Sequence, residues 1–498
     1  MIDHIYHLDF DPQRGLQEQL RESLVSAILG RGFPADEPLP SCRKLSQQLS
    51  ISRNTVALVY ESLLDNGYLV SRPRSGYYLH PDYCGQAGEA VLRITPLRKQ
   101  EHSDEPAEER ALDWATRLRM QPSLKHGVLR PSNWTSFTYP FIYGQPISDV
   151  FPLERWREVS RNNLRAERDQ SWLGDRFDRD DDMLIEQLRT RVLPKRGIWA
   201  RADEILVTLG SQNALYLLAS LLMSRGVTVG MENPGFRDAM SIFDIQGARV
   251  QLQDVDADGL VVDARLDSCE YLYVTPGHQV PTGVAMSAAR RGELLRQIRQ
   301  HDQVLIEDDY DAEFNLDNHP LPALKASDSS GRVIYLSSLS KAFAPGLRIG
   351  YMVADAELID ELRALRRLMY RHPPLNNQRM LAEFLAQGHY DAHLRRFREE
   401  HCRRRELLYQ ALRSDLADCQ PMGSPGASAC WLAAPRGVDT QRLAWAAAQQ
   451  SVLIESGAQF FLGAEPAPTN FMRLGFHAID AERIRPGVQK LGEVLARL

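Results

Sequence analysis

The stretch "SSLSKAFAPGLRIG", residues 337–350, places a lysine between small hydroxyl residues and an arginine. It follows residues 333–335, a β-branched and aromatic run that is typical of a strand. Lys341 therefore stands near the end of a predicted strand, where its amine could form a covalent link to a carbonyl compound. Ser338 and Arg348 could both face a phosphate group. Because a lysine in such a motif is more often a solvated surface charge, other segments of the chain are needed to choose between the two interpretations.

The composition is that of an ordinary globular chain. Its 498 residues are too many for one hydrophobic core, which predicts two or more domains. The net charge of −6 gives no general attraction to nucleic acid or membranes, so binding to DNA would require a local basic face. The six cysteines form no CxxC pair, the amino terminus is acidic, and no apolar stretch is long enough for a membrane span. These features predict a soluble cytoplasmic protein without a membrane partner.

Three regions differ in pattern. Residues 1–80 show short helical periodicities followed by alternating residues, which predicts a compact helical module with a small hairpin. Residues 81–130 include the charge-dense segment "RKQEHSDEPAEER", which is typical of a flexible linker. In residues 131–498 helical patterns alternate with short apolar runs, which predicts an α/β domain with a parallel sheet.

The pattern of the first region is typical of a winged helix-turn-helix. Apolar residues at i, i+4 spacing predict a helix over 16–29, a second helix covers 42–50, and Ser52 is the predicted N-cap of a third helix that ends at Gly67. A hairpin around residues 75–76 would form the wing. In such a module the exposed start of the last helix reaches base edges, and flanking arginines contact phosphates.

The candidate DNA contacts lie at these positions: Ser41, Arg43, Ser52, Arg53, Asn54, Thr55, Arg72 and Arg74. Residues 11–80 hold eight Lys or Arg and seven Asp or Glu, so the module as a whole is nearly neutral. On periodicity alone, a DNA-binding module and a plain helical interaction domain are equally compatible with this region.

The third region contains groups that pyridoxal phosphate chemistry requires: an amine, an acid for the pyridine nitrogen, phosphate donors and a flat stacking group. Asp308 follows a predicted strand at 304–306 and is the candidate acid, and Tyr310 could hydrogen-bond to the phenolic oxygen of the ring. The acidic segment around them would also suit a divalent cation. No histidine or spaced carboxylate set completes such a site, so we expect no metal.

Three further segments supply the remaining candidates. Gly210, Ser211 and Gln212 form a turn between a predicted strand and a predicted helix, whose first amides would favour phosphate. Phe236 could stack on the ring, and the alternative is a core aromatic. Arg473, on a short apolar strand, could bind a substrate carboxylate, and the alternative is an ordinary salt bridge.

The stretch from residue 39 to residue 79 is similar to the GntR-type winged helix. The positions that match its pattern are Leu39, Pro40, Ser41, Arg43, Leu45, Leu49, Ser52, Arg53, Thr55, Val56, Tyr60, Leu63 and Gly67. The wing "RPRSGYYL" fits as well. The resemblance implies that this module binds double-stranded promoter DNA.

From about residue 137 to the end, the chain resembles fold-type I aminotransferases, and "SSLSKAFAPGLRIGY" resembles their Schiff-base lysine motif. With the winged helix in front, and with "VTPGHQVPTG" and "IEDDYDAEF", the whole chain is similar to the MocR/GabR subfamily of GntR regulators. The resemblance implies a large domain with a mainly parallel sheet, a smaller α+β domain, pyridoxal 5′-phosphate as cofactor, and a homodimer that is head-to-tail as in the subfamily.

The resemblance also implies a role for each candidate residue. Lys341 would be the aldimine lysine, Asp308 the partner of the pyridinium and Tyr310 the partner of the phenolic oxygen. Phe236 would stack on the ring, and Arg473 would anchor the carboxylate of an effector. The other cofactor and effector contacts would be Gly210, Ser211, Gln212, Ser338 and Arg348 at the phosphate, and Gly144, from "YGQPISDVFPLERW", in the loop that borders the effector.

Two positions depart from the enzyme pattern. Val280 stands where aminotransferases have the asparagine of Asn-Pro-Thr-Gly, so a donor to the phenolic oxygen is missing, and His278 or Gln279 could replace it. Trp172 stands where a tyrosine would reach the phosphate of the neighbouring subunit. Arg237 could add a second contact to an anionic effector.

The resemblance implies a transcriptional regulator rather than an enzyme, with at most a residual half-transamination. An amine, an amino acid or pyridoxal phosphate itself would be sensed through formation of an external aldimine that displaces Lys341. Two alternatives stand beside this hypothesis. One is a catalytically active aminotransferase that carries a DNA-binding module, and the other is a DNA-binding protein whose large domain only dimerises.

Overall fold

The computed structural model describes most of the chain. The described residues are 10–12, 14–29, 33, 37–73, 75–83, 113–125, 131–165, 171–314, 321–339, 341–424, 426–463 and 466–498. Arg74 and most of the predicted linker at 81–130 lie outside them. The chain divides into two compact units, Met1–Asp113 and Trp114–Leu498.

The first unit consists of three helices followed by a hairpin. Its elements are α1 Leu16–Leu29, α2 Cys42–Gln48, α3 Arg53–Asp65, β1 Leu69–Arg72 and β2 Gly76–Leu79. The apolar face of α1 is buried in a common core with α3, because Leu20, Leu24 and Ile28 recur on one side of the helix. The two strands are antiparallel, with Arg72 opposite Gly76. The predicted winged helix-turn-helix is confirmed.

The second unit alternates strands and helices. Its helices are α4 Leu153–Arg165, α5 Asp182–Gln187, α6 Ser211–Leu222, α7 Arg237–Ile245, α8 Ala288–Gln300, α9 Leu324–Ser327, α10 Ala356–Tyr370, α11 Leu375–Ala386, α12 His389–Asp415, α13 Thr440–Gln449 and α14 Ala481–Leu495. Its strands are β3 Tyr139–Pro140, β4 Ile205–Thr208, β5 Thr228–Asn233, β6 Arg249–Asp256, β7 Gly259–Leu260, β8 Tyr271–Val274, β9 Val304–Asp309, β10 Val333–Ser338, β11 Gly350–Val353, β12 Gln420–Met422, β13 Ala429–Ala433, β14 Val452–Leu453, β15 Glu455–Ser456 and β16 Phe471–Gly475.

The large sheet has eight strands in the order β4-β11-β10-β9-β8-β5-β6-β7. Strands β10, β9, β8, β5 and β6 are parallel to one another, while β11 runs antiparallel to both β10 and β4, and β7 runs antiparallel to β6. The central strands are buried on both faces, which explains why their sequences are continuous apolar runs rather than alternating ones. The predicted α/β fold with a mainly parallel sheet is confirmed.

The topology brings the ends of distant segments to one edge of this sheet. Strands β4, β5, β9 and β10 all run in the same direction, so the residues that follow Thr208, Asn233, Asp309 and Ser338 meet at their carboxyl ends. This edge is where open α/β sheets bind ligands. It explains how residues far apart in sequence can form one site.

A smaller sheet supplies the other wall. Strands β12, β13, β16 and β15 are antiparallel neighbours in that order, and the register places Arg473 of β16 between Trp431 and Glu455. Helices α12, α13 and α14 contribute the core against which this sheet packs. Within the described ranges of both units, no helix is long and apolar enough to cross a membrane.

Candidate functional site

A cavity of about 310 Å³ opens between the carboxyl edge of the large sheet and the smaller sheet. This volume suits a small molecule or cofactor. The main cofactor and effector candidates all line it: Lys341, Asp308, Tyr310, Gly210, Ser211, Gln212, Phe236, Ser338, Arg348, Arg473 and Gly144. The fold therefore brings these candidates together, although the sequence scatters them from the region of β3 to β16.

The amine of Lys341 lies inside the cavity. Its Nζ donates a hydrogen bond to the hydroxyl of Tyr143 and lies 4.4 Å from the ring centroids of Tyr143 and Tyr310. The side chain is only partly exposed. Lys341 therefore lies in a ligand cavity, where its amine has a defined hydrogen-bond partner. It is not the solvated surface charge that the sequence left as an alternative.

Asp308 is buried at the end of β9. Its Oδ2 accepts a hydrogen bond from the Tyr273 hydroxyl at 2.8 Å, while its Oδ1 is buried and has no hydrogen-bond partner among the described residues. Burial raises the pKa of Asp308 to about 6, although the Tyr273 hydrogen bond and the charge of Lys341 act to lower it. An unpaired carboxylate oxygen beside a cavity is suited to an N–H donor of a bound molecule.

The opposite end of the cavity is suited to an anion. Helix α6 begins there at Ser211, so its first amides and the positive end of its dipole are directed at the site. Gly210 precedes it with φ of 92°, and a Cβ at this position would lie 2.7 Å from a terminal nitrogen of Arg348. That arginine also donates to the carbonyl of Leu209 at 2.7 Å. Only glycine allows the backbone and the guanidinium to converge in this way.

The polar groups predicted near the phenolic oxygen of the ring have hydrogen-bond partners within the protein. The Tyr310 hydroxyl donates to the carbonyl oxygen of His278 at 2.9 Å. His278 pairs with Asp311 and Gln279 bonds to Glu232, and neither of these two side chains lines the cavity. Among the described residues, they do not replace the missing asparagine donor, and Val280 lines the cavity as an apolar wall.

Arg473 both forms a salt bridge and lines the ligand cavity, so the two alternatives that the sequence left open are both present. Its Nε donates to Glu455 Oε2 at 2.6 Å in a buried ion pair. Its Cζ also lies 4.3 Å from the ring centroid of Tyr143 and 4.5 Å from that of Phe460. Two rings and one carboxylate therefore contact the guanidinium, and its terminal nitrogens are the groups that remain to bind a ligand.

Arg237 does not contact the site as the sequence suggested. Its Nε donates to the carbonyl of Gln459 at 2.5 Å and a terminal nitrogen donates to the carbonyl of Phe461 at 2.9 Å. Arg237 does not line the cavity. The prediction of a second anion contact was wrong, because this guanidinium binds the backbone that carries Phe460.

Five cavity residues were not predicted as part of the site: Tyr143, Asp238, Tyr273, Pro345 and Phe460. Tyr143 is adjacent to the predicted Gly144, and Asp238 follows two positions after the predicted Phe236. Tyr273 ends an apolar run that also stops at the carboxyl edge of the sheet. A rule that every polar or aromatic side chain near a strand end belongs to the ligand edge would have found these three.

In the first unit, the predicted DNA contacts divide into helix caps and exposed cations. The hydroxyl of Ser41 accepts from the backbone N–H of Lys44 at 3.3 Å, and that of Ser52 accepts from the N–H of Thr55 at 3.0 Å. The Ser52 and Thr55 hydroxyls are also 2.9 Å apart. The serines and Thr55 therefore build the helix starts. The exposed predicted residues among those the structure describes are Ser41, Arg43, Ser52, Arg53, Asn54 and Arg72.

Both units match known protein families. The family of bacterial regulatory proteins of the gntR type matches residues 16–79, and aminotransferase class I and II matches residues 181–491. The HTH-type transcriptional regulator TauR of Rhodobacter capsulatus is 35% identical over 97% of each chain. The probable rhizopine catabolism regulatory protein MocR of Rhizobium meliloti is 29% identical over 97% of this chain and 94% of its own.

A solved structure matches the second unit. The α-aminoadipate aminotransferase LysN of Thermus thermophilus, complexed with N-(5′-phosphopyridoxyl)-L-leucine, has a TM-score of 0.70 at 26% identity and covers 78% of this chain and 99% of its own. Fold and site together define a GntR-type winged helix fused to a fold-type I aminotransferase domain. The chain belongs to the MocR/GabR subfamily of GntR-type transcriptional regulators.

Membership in this subfamily fixes the general activity and the cofactor. The chain is a DNA-binding transcriptional regulator rather than an aminotransferase enzyme, and its cofactor is pyridoxal 5′-phosphate. The cavity fits that cofactor, because the unpaired Asp308 Oδ1 can accept from a protonated pyridine nitrogen, and the glycine-containing start of α6 can receive a phosphate.

Proposed function

We propose that the second unit senses a small amine, an amino acid or pyridoxal phosphate itself at Lys341 and passes this signal to the winged helix. The observation that carries the proposal is that Lys341, Asp308 and Arg473 line one cavity, although they lie on three different segments. An amine, an acid and an anion-binding guanidinium in one cavity suit a ligand that carries both an amine and an anion.

At the cofactor end, each residue has a role that follows from its contacts. When bound, pyridoxal 5′-phosphate supplies an aldehyde carbon that can link covalently to an amine and exchange one amine for another. Lys341 would supply the amine of the protein, and Asp308 would hold a proton on the pyridine nitrogen. Phe236 would cover the ring, and Tyr310 would border its phenolic oxygen. The residues that hold the phosphate are Gly210, Ser211, Gln212, Ser338 and Arg348.

At the effector end, Arg473 binds the anionic group of the ligand through its terminal nitrogens, and Gly144 leaves room for the ligand chain. Glu455 orients the guanidinium from behind. Because Arg473 and Lys341 flank the same Tyr143 ring, a ligand that reaches both groups must be small.

In this proposal, two copies of the chain bind DNA as a two-fold symmetric dimer. Large apolar side chains that a single chain leaves exposed, such as Trp199 and Leu368, support a second copy as partner. A head-to-tail homodimer presents two winged helices to paired half-sites of a promoter in the cytoplasm. In this organisation residues 1–80 bind DNA, residues 81–130 link the two domains, and residues 131–498 bind the cofactor and the effector. A ligand changes promoter binding only by its different affinity for two arrangements of this dimer.

The test is an absorbance titration of the purified cofactor-loaded chain with α-amino acids, ω-amino acids, simple amines and pyridoxal phosphate, together with promoter binding measured on the same samples. A spectral change with one ligand class, accompanied by altered DNA binding, is the expected result. Lys341→Ala should abolish the spectral response, whereas Lys490→Ala, which removes an exposed lysine of α14, should not. A response that survives in Lys341→Ala would contradict the proposal.

A catalytically active aminotransferase is the second candidate, because the lysine, the pyridinium acid and the phosphate cradle are all present in the cavity. Steady conversion of an amino donor and a keto-acid acceptor would support it. The absence of the asparagine donor at Val280 favours single amine exchange over repeated turnover. A wild-type chain that retains no cofactor would instead favour a large domain that only dimerises.

A further inference from the structure

The ring of Tyr143 is a shared contact of two cations that line the cavity, Lys341 and Arg473. Lys341 Nζ is 4.4 Å from its centroid and donates to its hydroxyl, and Arg473 Cζ is 4.3 Å from the same centroid. Lys341 Nζ also lies 4.4 Å from the centroid of Tyr310. The free lysine amine therefore has a defined position, formed by one hydroxyl and two aromatic faces.

The backbone around Tyr143 is fixed to the smaller sheet. The N–H of Gly475 donates to the carbonyl of Phe141 at 3.1 Å. A Cβ at Gly475 would lie 2.1 Å from the carbonyl oxygen of Ile142, so the two segments could not approach as closely with any other residue there. Arg473 is two residues before Gly475 on the same strand. The ring and the guanidinium are thus positioned by one packed pair of segments.

This position suits the lysine only when its amine is free. According to the proposed function, Lys341 is covalently linked to the cofactor in the resting state and becomes a free amine after an effector amine replaces it. The released ammonium then donates a charge-assisted hydrogen bond to Tyr143. A contact that exists in only one of two states favours that state by its own free energy.

We propose that Tyr143 is the positioning residue that holds Lys341 after an effector amine has displaced it, and that it thereby sets how long the effector-bound state persists. This inference rests on the proposed function. Tyr143 slows the return of the lysine to the cofactor but does not affect the arrival of the effector, because the contact forms only after the exchange.

The contact with Tyr143 also makes the lifetime of the state with a free Lys341 depend on whether the effector carries an anion. Lys341 and Arg473 are two cations that contact one aromatic ring, so they repel each other even though Glu455 compensates part of the arginine charge. An anionic group bound to Arg473 reduces this repulsion. Tyr143 therefore holds the lysine longer when the effector carries an anion than when it is a simple amine.

The experiment uses the full-length, cofactor-loaded chain and compares wild type with Tyr143→Phe by stopped-flow absorbance. The probes are 4-aminobutyrate, alanine and n-butylamine. The expected result is a dissociation rate about tenfold higher in Tyr143→Phe, since a hydrogen bond to a charged group is lost. The association rate should not change, and the cofactor should be retained at least as well, because the free lysine of the cofactor-free chain loses the same contact. In wild type, 4-aminobutyrate should dissociate more slowly than n-butylamine, which has the same carbon chain but no carboxylate.

Tyr409→Phe is the matched control, because it removes a tyrosine hydroxyl from α12 outside the cavity and should leave both rates unchanged. Tyr143→Gln provides a second variant, since its amide oxygen can accept from the ammonium and should restore slow dissociation. Equal dissociation rates in wild type and Tyr143→Phe, or equally fast rates in the Gln and Phe variants, would overturn the inference and leave the proposed function intact. A wild type that exchanges no amine would overturn both.

Discussion

The hydroxyl of Tyr273 donates a hydrogen bond to Asp308 Oδ2 at 2.8 Å across the neighbouring strands β8 and β9. Both side chains are buried, and burial together with Asp308 raises the pKa of Tyr273 well above its ordinary value, so the phenol remains a donor. Tyr273 fixes one carboxylate oxygen of Asp308, while the other has no partner among the described residues of the cavity. In the proposed function, Tyr273 would position Asp308 for the pyridine nitrogen of the cofactor.

Tyr273→Phe should weaken cofactor binding about tenfold, because a charge-assisted hydrogen bond is lost and a second buried carboxylate oxygen loses its donor. Absorbance titration of the cofactor-free protein measures the dissociation constant. Tyr271→Phe is the control, since this tyrosine is on the same strand but does not line the cavity. Equal cofactor affinity in both variants would contradict a positioning role for Tyr273.

Cofactor affinity should also depend on the titration of Asp308. Its pKa is raised to about 6, chiefly by burial, so the carboxylate is ionised above this pH and protonated below it. The ionised form is the one that pairs with a protonated pyridine nitrogen, and affinity should therefore fall as the pH is lowered from about 8 to about 5. Asp308→Asn should bind weakly across the range with a flatter profile. A wild-type affinity that varies with pH as little as that of Asp308→Asn would contradict this prediction.

Glu455→Gln should destabilise the second unit by about 2 kcal/mol, since it removes the charge from a buried ion pair and leaves Arg473 only partly compensated. The same change should strengthen the binding of anionic effectors, because Arg473 then presents its full charge. Thermal unfolding and absorbance titration measure the two effects. Glu493→Gln, in an exposed pair with Lys490, is the control and should change neither.

In the first unit, Arg53→Gln should weaken promoter binding by about 1–3 kcal/mol if it contacts a base, or reduce the salt slope by about 1 if it contacts a phosphate. Arg53 is exposed at the start of α3. Fluorescence anisotropy with labelled promoter DNA at several salt concentrations separates the two cases. Arg21→Gln, which removes an exposed arginine of α1, serves as the control. Promoter affinity that is unaffected by Arg53→Gln would remove this residue from the interface.

The main effect of Ser52→Ala should be a lower stability of the winged helix rather than the loss of a DNA contact. The Ser52 hydroxyl accepts from the N–H of Thr55 at the start of α3, so its loss should cost about 1 kcal/mol of stability in the winged helix. Chemical denaturation of the full chain, followed by a signal from the first unit, measures this cost. Ser52→Asp, which can also cap the helix, should retain the stability and weaken DNA binding by its charge. Equal stability of the Ala variant and wild type would contradict the capping role.

Local structure was predictable wherever a short-range pattern determines it. The periodicity of α1, the cap at Ser52 and the hairpin of the wing depend on neighbours within a few positions, and all three are present in the structure. The strands of the large sheet were equally easy to predict from their apolar runs, because strands buried on both faces exclude polar residues. For the same reason, candidates such as Asp308 could be recognised by their position at the end of such a run.

Contacts between distant segments were not predictable from these patterns. Arg237 follows the predicted stacking residue, yet its partners are carbonyl groups more than two hundred positions away. Tyr143 appeared only as the neighbour of Gly144, and nothing in its own segment indicates that Lys341 and Arg473 would both contact its ring. Glu455 was not considered, because its pairing depends on the register of β15 with β16.

The sequence by itself determined the two units, their fold classes and the chemical groups of the site, because helix periodicity, strand burial and motif residues are encoded within short stretches. Only the tertiary structure decided which atom each group faces. The distance from Lys341 to Tyr143, the free oxygen of Asp308 and the ion pair of Arg473 all depend on how the two sheets pack, and packing is a property of the whole chain.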